Sequence, residues 1–159
     1  MLRYWNYDIV FQEVPGEVAL AINLTGCPCH CPGCHSPYLW EETGEAMTCE
    51  ALDSLIAHCG ANITCVALMG GDREPCEVDS LMRHVREKHS KLRTAWYSGR
   101  SLLGRSVDVA HFDYIKLGPY LSHLGGLRNR NTNQRFYRVD KGKLHDETFR
   151  FWGRVNSDE

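Results

Sequence analysis

The chain has 159 residues, 43% of them hydrophobic, with 18 basic and 20 acidic side chains and a net charge of -2. That length accommodates one well-buried core rather than two ordinary domains, and so balanced a charge excludes binding to nucleic acid or an anionic membrane through a global basic field. No run of about 20 apolar residues could span a bilayer and Met1–Val10 lacks the charged-then-apolar layout of a secretory signal, so a cytoplasmic protein with one domain over residues 1–159 is expected.

The first clear element is the run Val18 to Leu24, apolar almost throughout, which predicts a strand covered on both faces as in a parallel sheet. A helix is expected from about Cys49 to Cys59. Thr48 would be its N-cap, Gly60 lies just beyond its end, and Leu52, Leu55, Ile56 and Cys59 recur at helical spacing. Ile63 to Met69 reads as a second buried strand. Pro75 suits the first turn of a second helix, whose inner face is marked by Val78, Leu81, Met82, Val85 and His89. Glu77 and Asp79 near its start and Arg86, Lys88 and His89 near its end complement the helix dipole.

Leu92 to Tyr97 gives a third strand, a short helix is expected near Ser101 to Ala110, and Phe112 to Leu117 and Arg135 to Asp140 complete the strand set. Strands alternating with helices imply crossover units and a parallel sheet. A complete eight-unit barrel needs roughly 200 residues or more. The expected fold class is therefore α/β, an open partial (β/α) barrel, with chemistry gathered at the carboxyl ends of its strands.

The residues after the first strand bear this out as a place for chemistry. Gly26-Cys27-Pro28-Cys29-His30-Cys31-Pro32-Gly33-Cys34-His35 packs six nitrogen and sulfur ligands into nine residues of turn-forming composition. Eight cysteines in a reducing compartment read as metal ligands or buried thiols rather than disulfides. Cys27, Cys31 and Cys34 have the spacing C-x3-C-x2-C, which supplies three thiolates to a 4Fe-4S cubane that needs one ligand per iron and leaves one iron open. Zinc is the other reading, but Cys49, Cys59, Cys65 and Cys76 do not form the second close pair that a structural zinc site uses. Cys29 lies off the spacing.

Two further strand ends carry small and polar residues. The second strand closes on Met69-Gly70-Gly71-Asp72, where glycines allow a backbone to approach a ligand and a carboxylate can accept hydrogen bonds from an ammonium group. The third closes on Trp96-Tyr97-Ser98-Gly99, with Ser98 as a weaker binding candidate. Arg128, Arg130, Arg135 and Arg138 make the one local basic concentration, read either as a solvated loop or as a docking surface.

With C-x3-C-x2-C after the first strand and Gly-Gly-acid after the second, the chain resembles the radical S-adenosylmethionine superfamily. More narrowly, it resembles the activating proteins of anaerobic, class III, ribonucleoside-triphosphate reductases. That likeness runs from about Asp8 to Arg135 and is carried by Asp8-Ile9-Val10, Pro15-Gly16, Thr25-Gly26-Cys27, Cys31-Pro32-Gly33-Cys34, Trp40, Gly70-Gly71-Asp72, Tyr97-Ser98-Gly99, Gly118 with Tyr120, and Asn133-Gln134.

The resemblance implies an oxidoreductase with two cofactors, the cluster and S-adenosylmethionine, the latter chelating the open iron and contacting Gly33, Cys34, His35, Gly70, Gly71, Asp72 and Ser98. It implies reductive cleavage to methionine and a 5'-deoxyadenosyl radical, which takes hydrogen from a backbone glycine of the reductase's large glycyl-radical subunit. A low-potential donor such as flavodoxin would supply the electron. Another small enzyme of the superfamily, such as a different glycyl-radical activase, and a zinc-binding module are the alternatives.

Overall fold

The computed structural model describes residues 1–26 and 44–152. Eight strands form one sheet: β1 (Arg3–Val10), β2 (Ala19–Leu24), β3 (Glu45–Ala46), β4 (Cys65–Met69), β5 (Arg93–Tyr97), β6 (Tyr114–Leu117), β7 (Arg135–Asp140) and β8 (Lys143–Asp146). Their order across the sheet is β3-β1-β2-β4-β5-β6-β7-β8. The four central strands, β2, β4, β5 and β6, are parallel. The flanks are antiparallel on both sides.

Helices α1 (Cys49–Cys59) and α2 (Pro75–Lys88) supply the connections around β4. Helix α1 begins and ends as its sequence dictates. Thr48 accepts from the Ala51 N–H at 3.0 Å, and Gly60, at φ 73°, donates its N–H to the Ile56 carbonyl. In α2, Pro75 takes the first turn, where its missing N–H has no intrahelical partner to lose.

Both helices pack on one face of the sheet. Leu52, Leu55 and Ile56 of α1 and Val78, Leu81, Met82 and Val85 of α2 meet Leu20, Ile22, Leu24, Val66, Leu68, Trp96 and Ile115. Each such buried side chain contributes about 1.5–3 kcal/mol. The opposite face is different in kind: Ala19, Cys65, Ala67 and Ala95 lie under Val14, Tyr114 and Phe136, with Leu127 and Phe151 packed against them. Ala21, Ala67, Ala95 and Tyr114 stand in register across the four parallel strands, so the middle of this face is lined largely by small side chains.

Three features depart from the sequence expectations. The sheet is mixed, because β1, β3, β7 and β8 add antiparallel edges to the parallel centre. β1 lacks a run of alternating burial, with most of its residues exposed, and so gives little period-two signal. The short helix expected at Ser101 to Ala110 is instead a single 3-10 turn, Val109–His111, capped by Asp108 accepting from the Ala110 N–H at 2.9 Å. Leu103 and Val107 do reach the core at i, i+4 spacing, but Gly104, Ser106 and Asp108 are poor helix formers that favour turns and caps. The tail forms β8 and a 3-10 turn, Thr148–Phe151.

Candidate functional site

All four parallel strands point their carboxyl ends to one edge of the sheet, and there the chain turns through Thr25-Gly26, Gly70-Gly71-Asp72, Ser98-Gly99 and Gly118. The cysteine segment follows β2 directly in the chain. Cys27, Cys31 and Cys34, with Gly33 and His35, lie outside the described residues.

The two glycines after β4 are held, not loose. Gly70 donates its N–H to the Tyr97 carbonyl at 2.9 Å and accepts from the Trp96 indole N–H at 2.7 Å. Gly71 adopts φ 86°, and a Cβ there would lie 2.8 Å from both Leu24 Cδ1 and Val78 Cγ2. Only glycine brings the backbone this close to the end of β2 and to α2 in that conformation.

Asp72 is 3% exposed and Ser98 1%. The Ser98 hydroxyl donates to Asp72 Oδ1, and the Gly99 N–H donates to Oδ2 at 2.9 Å. Ser98 Oγ in turn accepts from the Arg100 N–H at 3.1 Å. The carboxylate thus ties the turn after β4 to the turn after β5. Sequence reasoning placed both residues at the site but did not foresee that they bond to each other; strand adjacency, which the sequence does not print, makes the pair.

Lys116 and Asn133 complete the edge and were not among the expected contacts. Lys116 is 9% exposed and donates from Nζ to the carbonyls of Ser98 at 3.0 Å and Gly118 at 2.7 Å, linking the ends of β5 and β6. Asn133 donates from Nδ2 to the Pro119 carbonyl at 3.0 Å. Its Oδ1 is buried and accepts no hydrogen bond among the described residues. Such an acceptor costs about 1–3 kcal/mol when left unpaired, so the edge is suited to a ligand that brings a donor.

The four arginines of the basic segment all have partners within the chain. Arg128 donates to Gln12 Oε1 at 2.9 Å, Arg130 stacks over the Trp152 ring at 5.5 Å, Arg135 lies 3.5 Å from Asp146, and Arg138 lies 2.8 Å from Glu147. Structural pairing accounts for them.

At the amino ends of the same strands, Glu17 is 7% exposed and gathers three donors. Tyr114 OH donates to it at 2.7 Å, Thr64 Oγ1 at 2.7 Å and Arg93 Nη1 at 3.2 Å. Burial, then the hydrogen bond to Glu17, pushes the Tyr114 phenol up to about 12. Burial also raises Tyr97, whose hydroxyl donates to the Glu13 carbonyl.

A model of the 4Fe-4S single cluster domain family matches residues 14–107, well over half of the chain. The chain belongs to that family. It is an iron–sulfur protein, and the matched span carries the cysteine segment, both helices, Gly70-Gly71-Asp72 and Ser98. No curated protein and no solved structure matches it. No helix among the described residues is long and apolar enough to cross a membrane.

Proposed function

We propose that this iron–sulfur protein is a radical S-adenosylmethionine activase that generates the glycyl radical of an anaerobic, class III, ribonucleoside-triphosphate reductase. The observation that carries the reading is the Asp72–Ser98–Gly99 bond set, which locks a Gly-Gly-acid turn to the neighbouring strand end on the edge from which the cysteine segment departs.

In this reading Cys27, Cys31 and Cys34 would hold a 4Fe-4S cluster, three thiolates for four irons, so that S-adenosylmethionine could bind it directly. Three soft thiolates suit that cluster. A cofactor that brings hydrogen-bond donors suits the site: the Gly70-Gly71 backbone comes close, and Asn133 Oδ1 has no partner among the described residues. A cluster held there would supply one-electron reducing chemistry toward S-adenosylmethionine.

The chain's own residues bind and orient. Gly33, Cys34 and His35 of the cysteine segment would meet the cofactor, as would Gly70 and Gly71 after β4. Asp72 and Ser98 act as positioning residues, because their polar atoms hold the loops together. Helices on one face and small side chains on the other support reading the sheet as an open partial (β/α) barrel formed by a single domain. The reductase's large subunit would present its own glycine, with a low-potential donor such as flavodoxin supplying electrons in the cytoplasm.

Anaerobically reconstituted protein, given dithionite and S-adenosylmethionine, should contain about four irons per chain and form 5'-deoxyadenosine. With the reductase present it should leave a glycyl-radical signal. Deoxyadenosine without that signal would point to a different partner of the same chemistry. Four irons with no cleavage, or zinc in their place, would overturn the proposal.

A further inference from the structure

The helical layer carries a second group of metal-binding side chains on other elements. Asp53 lies in the middle of α1, His84 in the third turn of α2, and His89 at its C-cap. His84 Nε2 is 2.9 and 3.0 Å from the two Asp53 carboxylate oxygens, and His89 Nε2 is 2.7 Å from Oδ1. One donor atom from each residue falls within 4.8 Å of the other two. The two imidazoles meet edge to face, 6.3 Å between centroids and 68° between planes.

We propose that Asp53, His84 and His89 form a binding site for a divalent transition metal, zinc in the first place, that clamps α1 to α2. Zinc bonded to nitrogen and oxygen at about 2.0–2.1 Å in tetrahedral geometry sets its donors about 3.3 Å apart. The two imidazole–carboxylate separations are within about 0.6 Å of that spacing, so small side-chain rotations would admit the ion. Two imidazoles and one carboxylate suit zinc and its neighbours rather than calcium or magnesium, which take oxygen.

The Asp53, His84 and His89 side chains are 39%, 18% and 25% exposed, so water can reach the remaining coordination position. The sequence gives His89 as part of the buried face of α2; in the structure His89 is instead a half-exposed cap residue whose backbone N–H donates to the Val85 carbonyl and whose ring is turned toward Asp53. Without metal, both rings can donate Nε2–H to the carboxylate. With metal, both Nε2 atoms must be bare.

The test uses protein whose cluster is already loaded, so that iron occupies the thiolates of Cys27, Cys31 and Cys34, and the cobalt spectrum reports whether any other cysteine binds. Zinc is titrated against a chromogenic chelator, and cobalt is added in parallel for its absorption spectrum. The expected result is one zinc per chain beyond the iron, a cobalt spectrum without thiolate charge transfer, and a raised Tm with zinc. H84Q and H89Q should each weaken zinc by more than the about 10–100-fold that outer partners typically contribute.

Glutamine still donates to Asp53, so either variant keeps a hydrogen bond between the helices and a Tm near that of the metal-free protein. Should one fail to fold, D53N gives the same comparison, since its amide retains hydrogen bonding while losing the anionic ligand. Zinc binding unchanged in these variants, thiolate charge transfer from cobalt, or no zinc bound beyond the iron would each overturn the site.

Discussion

The two ends of the same four parallel strands are built to opposite designs. At the amino ends, Glu17 receives Tyr114, Thr64 and Arg93, and Asp113 receives the Thr94 N–H at 2.9 Å and Arg86 at 3.2 Å. Those carboxylates bind groups that sit beside the strand starts, across neighbouring strands, and close the edge. At the carboxyl ends the chain runs through glycines, a carboxylate spent on holding two turns together, and an amide oxygen with no partner among the described residues. One buried atom on each side has no partner among the described residues, Arg86 Nε at the amino edge and Asn133 Oδ1 at the carboxyl edge, so the contrast lies in the glycine turns that bring backbone close at the carboxyl edge and in the donors that close Glu17 and Asp113 at the amino edge.

The largest effect on this comparison should come from D72A. It leaves the Ser98 hydroxyl and the Gly99 N–H without their acceptor in a buried place, at about 1–3 kcal/mol each. Stability should fall by about 2–4 kcal/mol in urea unfolding, and 5'-deoxyadenosine formation should drop to background. Full activity in a folded D72A protein would remove Asp72 from the positioning role.

E17Q should have a smaller effect and touch stability alone. Its amide oxygen can still accept from one donor, but the charge that Arg93 and Tyr114 face is gone, a loss of about 1–2 kcal/mol. Cofactor cleavage per folded chain should stay within about twofold, since nothing at the carboxyl edge has changed. A selective loss of cleavage with unchanged stability would break the contrast between the two edges.

At neutral pH the smallest effect is nil. The folded Tyr114 phenol titrates at about 12, above the ordinary value near 10, so its contribution to stability is whole below about pH 10 and is lost as pH climbs through about 12. Tyrosinate absorbance should show a late-titrating group in the wild type that moves toward the ordinary value in E17Q. An unmoved titration would show that burial alone raises it.

Much of the carboxyl edge was legible because glycine and small polar residues punctuate the ends of apolar runs. Gly70-Gly71-Asp72 and Tyr97-Ser98-Gly99 stand out as turns after apolar runs, and the runs themselves predicted β2, β4, β5 and β6 within a residue or two. The amino edge was silent, since Glu17, Thr64, Arg93 and Tyr114 are 97 residues apart at the extremes and only the sheet brings them together. Asn133 was visible as part of a resemblance, but its orphaned oxygen is a matter of three-dimensional geometry. β1 escaped notice because most of its residues are exposed, and β3 and β8 with it, whereas the flanking strand β7 was read at Arg135–Asp140 without its antiparallel direction.

The central claim, that the carboxyl edge binds the cofactor and the amino edge does not, is tested most directly by equilibrium binding of S-adenosylmethionine to cluster-loaded wild type, D72N and E17Q. D72N retains one acceptor for Ser98 or Gly99 and should fold, so loss of binding there reports on the site. The account predicts binding at least about tenfold weaker in D72N, a cost of about 1.4 kcal/mol, and unchanged in E17Q. Equal binding by all three proteins, or weakening by E17Q as large as that by D72N, would contradict it.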